Sequence, residues 1–301
     1  MLSRILIFSS LVLITSIFGC KPAAQTEVGS LQVFDFATIS DGVEMDFQVD
    51  ETSGLVTFKD QLWTINDSKN AGVIYRIDPA TGDLLDQIDL KTTNTDWEDL
   101  AIDSTFFYVA DIGNNLGARQ YLSIYRFPIG LLDGSAPYSI DTIAFSFPDQ
   151  KSFPGTYDHN FDAEAIVVEG GHIFLFSKNW QNKKCKLYKI INTPGVHDAA
   201  LVSEFNTQGL ITAATENPAT REIYLLGYNY NGVNTPFIWV LSDYQNEDYF
   251  SGNKVRYDID LNRQTEAIAL LKDGSVVISA EQSKAPAPGL WRVELDKGTS
   301  E

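Results

Sequence analysis

Five short stretches of the chain can be laid over one another: Glu51-Thr-Ser-Gly-Leu55, Asp96-Trp-Glu-Asp-Leu100, Asp162-Ala-Glu-Ala-Ile166, Leu210-Ile-Thr-Ala-Ala214 and Gln264-Thr-Glu-Ala-Ile268. Each leads into a β-rich apolar run, and on a strand side chains two apart share a face. The first and third residues of each stretch therefore point together. The first residues are Glu51, Asp96, Asp162, Leu210 and Gln264; the third are Ser53, Glu98, Glu164, Thr212 and Glu266. If the stretches converge on one axis, Glu51, Asp96, Glu98, Asp162, Glu164 and Glu266 cannot all stay ionised in a dry channel without a cation or protons. No His or Cys stands among them, and an oxygen-only donor set favours a hard cation, Ca²⁺ first and Mg²⁺ second. The competing reading is a wide, wet channel in which the acids are simply solvated.

A second polar set recurs where the following strand of each unit ends: Asn66 and Asp67, Asp111 with Asn114 and Asn115, Lys178 and Asn179, Tyr228 and Asn229, Glu281 and Gln282. These are turn-forming residues, but their repeated placement predicts a shallow ligand pocket above the channel, with Trp97 and Trp180 as apolar walls. Lys178 has an alternative role as counter-charge to Glu164, which would weaken the case for a metal. Three scattered histidines offer no ordinary zinc site. Cys185, in Lys184-Cys185-Lys186, is expected as an edge or half-buried thiol rather than a nucleophile. No Gly-x-Ser-x-Gly elbow, phosphate loop or dinucleotide fingerprint occurs. Paired carboxylates suit glycoside hydrolysis only at separations that sequence spacing does not set.

The elements that must position these residues repeat with them. Apolar runs at 62–65, 106–110, 173–176, 223–226 and 276–279 follow the five stretches, and further β-rich runs follow at 73–77, 122–126, 187–190, 237–240 and 290–293. A more polar alternating segment closes four units, at 84–90, 140–147, 200–205 and 255–259, while the chain ends before a fifth. Short strands divided by Gly, Asn, Asp and Pro turns predict an all-β chain, and four-stranded units repeated radially predict a β-propeller. The count is five blades, with the last completed by an N-terminal strand from 31–36 or 43–49, which removes two open sheet edges. Six blades would require a further unit hidden in the N-terminal segment and residues 128–160.

The first residues carry one basic side chain, Arg4, and then an apolar run ending in Ile17-Phe18-Gly19-Cys20. That is the layout of a signal peptide (1–19) too short for a comfortable membrane span. It resembles the bacterial lipobox, with Phe18 bulkier than the usual residue, and so implies acylation of Cys20, a flexible tether (20–30) and a propeller domain (31–297). The expected location is the cell envelope, anchored by lipid. Lys21 argues against inner-membrane retention by an acidic residue after the cysteine and points to the outer membrane. With 40 acidic and 22 basic side chains, the surface repels nucleic acid and anionic lipid, so neither is an expected partner beyond the acyl anchor. Once Cys20 is acylated, Cys185 has no disulfide partner. The domain is expected to be a monomer.

The Glu51 stretch with its Asp-x-Glu and Gln-x-Glu counterparts resembles the SdiA-regulated family of bacterial proteins, over about residues 31–295. The resemblance implies a five-bladed propeller distantly similar to NHL-repeat proteins, with a calcium site for which Glu98, Glu164 and Glu266 are the matching positions. Leu210 and Thr212 depart from that pattern in the fourth unit. A looser similarity links the chain to esterase-like phytase domains and to calcium-dependent lactonases of the senescence-marker type, which are six-bladed. Two functions are therefore expected: a calcium-binding envelope module whose rim binds a peptide, glycan or protein, or a calcium-dependent hydrolase of a lactone, ester or phosphoester with Asp67 or Asp111 as base.

Overall fold

The computed structural model describes residues 32–230, 233–282 and 287–295; the Cys20 lipobox and the tether lie outside the described residues. The strands form five antiparallel meanders. The first comprises β3 (Thr52–Phe58), β4 (Gln61–Asn66), β5 (Val73–Ile77) and β6 (Leu84–Asp89). The second comprises β7 (Trp97–Ile102), β8 (Phe106–Asp111), β9 (Leu122–Pro128) and β10 (Asp141–Ser146). The third comprises β11 (Ala163–Glu169), β12 (His172–Ser177), β13 (Cys185–Ile191) and β15 (Ala200–Phe205), with β14 (Gly195–Asp198) reaching back to pair in parallel with β10. The fourth comprises β16 (Leu210–Asn217), β17 (Glu222–Tyr230), β18 (Asn234–Ser242) and β19 (Asn253–Ile259), and the fifth β20 (Thr265–Leu270), β21 (Val276–Ala280) and β22 (Gly289–Glu294). The innermost strands β3, β7, β11, β16 and β20 touch in that order, and β20 returns to β3. This closed ring of radial sheets is a β-propeller.

Each meander is buried on both faces, which explains why its central strands are apolar at nearly every position rather than at alternate ones. Side chains still alternate, but between two cores. Ile173 and Leu175 of β12 pack toward the second meander, and Phe174 and Phe176 toward the fourth. Five such clusters occupy the five junctions around the ring. Trp63, Trp97 and Trp239 are fully buried in them. Cys185 is also fully buried, in the junction between the third and fourth meanders, which corrects its expected half-exposed placement. The fourth meander covers the face of β13 that carries Cys185 and Leu187, and burial pushes the thiol pKa up. A thiol-specific reagent should therefore leave Cys185 unmodified in the native chain and modify it fully in denaturant. Rapid reaction of the folded chain would contradict this packing.

The N-terminal segment does reach the open edge of the last meander, as expected, but most of it pairs elsewhere. β1 (Gln32–Ile39) runs parallel to β19 over six residue pairs as an extra strand on the fourth meander. Only Thr38 and Ile39 pair with β22, joined by Val43 and Glu44 of β2 (Val43–Glu44). The segment thus bridges the fourth and fifth meanders and covers the edges of both, instead of serving as a simple fourth strand of the last. An extended, alternating segment fits either edge, and the choice between them depends on where the ring places β19 and β22.

Candidate metal and ligand site at the channel mouth

All five innermost strands break register with their neighbours within one residue of the same place. The irregularity falls between Ser53 and Leu55, Trp97 and Asp99, Ala163 and Ala165, Ile211 and Ala213, and Thr265 and Ala267. A bulge inserts an extra residue and re-aims its side chain. In four units the residue at the break is the third of the repeated stretch, and in the first it is Gly54, held at φ +46° where a side chain would also strike the backbone of Asp99 and Leu100. The acids at the third position, Glu98, Glu164 and Glu266, are buried and line one cavity of about 210 Å³. The hydroxyls at that position stitch neighbouring inner strands: Ser53 Oγ donates to the Glu98 carbonyl at 2.5 Å and Thr212 Oγ1 to the Thr265 carbonyl at 2.8 Å.

The first-position residues do not form a common shell. Glu51 is exposed and its Oε2 accepts from Asn70 Nδ2. Asp162 is fully buried but occupied: Oδ1 accepts the backbone N–H groups of Asn114 (2.6 Å) and Ala163 (3.0 Å), and Oδ2 accepts Trp180 Nε1 at 2.7 Å. Asp96 is the exception. Its carboxylate oxygen lies with those of Asp67 and Glu98 in a group whose members are all within 4.8 Å of one another. Gly113 backs this group, and a Cβ there would collide with the Asp96 and Glu98 carboxylates. Glu98 Oε1 is buried with no hydrogen-bond partner among the described residues.

The rim set divides in the same way. Asp67, Lys178 and Glu281 line the cavity. Asn66 instead donates to the Gln48 carbonyl (2.8 Å), Asp111 pairs with Arg119 (2.6 Å), Asn114 donates to the Phe161 carbonyl (2.9 Å), and Asn179 accepts from Ser177 Oγ (2.7 Å). These four organise loops. Lys178 takes its alternative role: its Nζ is 2.5 Å from Glu164 Oε2, with both side chains buried. Glu266 accepts from Gln264 Nε2 at 2.6 Å. Glu164 and Glu266, two of the three positions matched through the family resemblance, are therefore neutralised or bonded within the protein. Trp97 does not wall the pocket; it is buried between the first two meanders, while Trp180 does line it.

The electrostatics follow from burial and crowding. Burial raises the Glu98 pKa well above normal, and Glu164, Asp67 and Asp96 add to the effect. Burial, then Asp67 and Asp162, lifts Asp96 to about 6. Burial, then Glu266, lifts Glu281 to about 8, and burial raises Asp67. Lys178 is held protonated, because Glu164, Tyr228 and other neighbours outweigh the burial that opposes its charge.

Asp99 was not among the expected site residues. It is fully buried below the cavity; Oδ1 accepts the Leu100 N–H (2.8 Å) and Oδ2 the Ile166 N–H of β11 (2.8 Å), and a further bond comes from the Ala214 N–H of β16. One carboxyl thereby joins three inner strands and plugs the axis. The signal in the sequence is the fourth position of the stretch, which reads Gly54, Asp99, Ala165, Ala213 and Ala267. An acid among four residues with little or no side chain marks a place where only one side chain fits.

No family model and no curated protein matches the chain in sequence. Solved structures similar to it include a streptogramin B lyase, at 12% identity over 86% of this chain and 98% of that one with a TM-score of 0.48. The PQQ-bound aldose sugar dehydrogenase of Streptomyces coelicolor is similar at 11% identity over 86% and 97%, TM-score 0.48. The β-propeller domain of Myceliophteria thermophila Cps50 (Swd1) is similar at 9% identity over 85% and 98%, TM-score 0.43. At these values the likenesses carry no argument about chemistry, and the propeller rests on the strand pairing described above.

Proposed function

We propose that this chain is a cell-envelope β-propeller, held at the membrane through an acylated Cys20, that binds Ca²⁺ at its channel mouth through Asp67, Asp96 and Glu98. The observation that carries the reading is the buried, unpartnered Glu98 Oε1 beside two further carboxylates. A buried acceptor without a donor costs about 1–3 kcal/mol, and more when charged; a hard cation would remove that cost at Glu98 and offset the repulsion among the three carboxylates. The donors are oxygen only, as Ca²⁺ prefers. Calorimetric titration of the chain with Ca²⁺ tests this directly: one saturable site is expected, and no heat and no thermal shift would overturn it.

The anchor fits the same picture. β1 begins at Gln32 opposite Lys254, and the pairing of β19 with β18 and of β18 with β17 puts that end of the sheet with Ile223, away from Tyr228 at the pocket. A lipid-anchored tether would therefore join the domain at the end of the ring opposite the acidic pocket. Labelled palmitate should be incorporated into the chain and not into its Cys20→Ala variant; equal labelling of both would remove the anchor from the proposal.

The pH dependence has a definite sign. Asp67, Asp96, Glu98, Glu266 and Glu281 all have raised pKa values when folded. The native state then holds more protons than the unfolded state, so stability without calcium is greatest below the ordinary carboxylate range and falls as pH rises through about 6 and about 8. Thermal melts in chelator should show a higher Tm at pH 5 than at pH 8, and excess Ca²⁺ should remove that difference. A chelated chain more stable at pH 8 would contradict the cluster's electrostatics.

A second reading, a calcium-dependent hydrolase, is favoured by one observation. Three carboxylates line up fewer oxygens than the roughly six to eight that Ca²⁺ takes, so an ion held there would have positions left for a substrate, as a catalytic metal requires. Ester, lactone and phosphomonoester substrates that all stay intact with calcium present would eliminate it.

A further inference from the structure

The 210 Å³ acidic cavity adjoins a second one of about 620 Å³, and Trp180, Tyr228 and Gln264 belong to the walls of both. Trp180 is fixed between them. Its Nε1 donates to Asp162 Oδ2, and the Tyr157 ring meets it edge-on with centroids 5.0 Å apart at 74°. Gln208 and Asn234 line the second cavity and bring amide groups that both donate and accept. Lys183 lines the second cavity as well, with its Nζ 5.4 Å from the Trp180 ring centre, so the site joins three features: a cluster of carboxylates, a rigid aromatic wall and a polar extension of amides with one lysine.

We infer that the ligand of this site is a neutral saccharide, whose ring packs on Trp180 and whose adjacent hydroxyls complete the coordination of the ion. The inference rests on the calcium reading proposed above. Charge narrows the class first. Asp67, Glu98, Glu266 and Glu281 line the acidic cavity against one lysine already paired with Glu164. A bound divalent cation leaves this pocket without excess positive charge, so phosphate and carboxylate ligands are disfavoured. A cationic ligand competes with the ion for the same oxygens. An apolar ligand leaves the ion's open positions unfilled. A neutral polyol satisfies each term: vicinal hydroxyl oxygens are hard donors for Ca²⁺, the C–H face of a pyranose covers an aromatic ring, and the remaining hydroxyls bond to amides. The acidic cavity is smaller than the roughly 300 Å³ at which sites for drug-sized molecules begin, which suits one sugar ring, with the larger cavity holding its substituent.

The test uses the acylated chain in a sugar-free detergent, with saturation-transfer NMR to read binding of methyl α-mannoside, methyl β-galactoside, methyl β-glucoside and inorganic phosphate. Calcium binding is measured by calorimetry on the same samples. Expected is binding of at least one glycoside with calcium, its loss in chelator, and no phosphate binding. Trp180→Ala should weaken the glycoside about tenfold while calcium affinity stays within about threefold. Because Trp180 also bonds to Asp162, Asn234→Ala serves as a second variant, with glycoside affinity reduced and calcium unchanged. If calcium binds but no glycoside does, or phosphate binds instead, the saccharide inference is overturned and the calcium reading stands. If glycosides bind equally in chelator, the coordination by hydroxyls is overturned. If neither calcium nor glycoside binds, the proposed function itself has failed.

Discussion

Replacing Glu98 with Gln should abolish high-affinity calcium binding and, in the same protein, raise the thermal stability of the calcium-free form. The first effect follows from removing a charged ligand; even groups behind a metal's ligands cost about 10- to 100-fold in affinity when mutated, so a ligand itself should cost at least about 100-fold. The second follows from the buried Oε1, which has no donor and is crowded by Glu164, Asp67 and Asp96. A neutral amide of the same shape removes that repulsion. The two signs together distinguish a ligand from a structural acid, because a residue kept for the fold loses stability when changed. Calorimetry and melts in calcium and in chelator measure both. Calcium affinity unchanged in Glu98→Gln would sink the assignment of this cluster.

The second large effect is expected at the axis. Asp99→Ala removes the acceptor for three backbone N–H groups on β7, β11 and β16, carried by the buried residues Leu100, Ile166 and Ala214. At about 1–3 kcal/mol for each unsatisfied group, the loss should be at least about 3 kcal/mol, a large part of a domain's net stability. Asp99→Asn keeps one acceptor oxygen and should lose less. Denaturant unfolding of the three proteins gives the order native, Asn, Ala. An alanine variant as stable as the native chain would show that the inner strands need no common acceptor.

Much of the architecture was legible because it follows from periodicity. The repeated stretches at 51–55, 96–100, 162–166, 210–214 and 264–268 begin the innermost strands, and the strands that follow lie within a few residues of their expected places. Side chains buried on both faces produce the apolar runs from which those strands were read. The convergence of Glu98, Glu164 and Glu266 was also legible, since equivalent positions of radial units face one axis.

What those acids do once they converge was decided by contacts between units. Lys178, one strand away from Glu164 in its own meander, neutralises it, whereas Asp67 reaches from the first meander to Asp96 and Glu98 of the second. The spacing of like residues carries no information about which neighbour supplies a counter-charge. The bulges were hidden for a related reason: a register break is a property of two paired strands, and strict alternation along one strand conceals it.

The N-terminal segment makes the same point at larger scale. Its strand character is local, a matter of alternating residues, but its position across the edges of β19 and β22 exists only after the ring has brought those edges together. The sequence by itself determined the repeat, the strands and the convergence of Glu98, Glu164 and Glu266, because these depend on residue order and side-chain periodicity. Tertiary structure alone decided which acids are paired, which single carboxyl plugs the channel and where an unpaired one is left, because each depends on distances between residues that the chain keeps far apart.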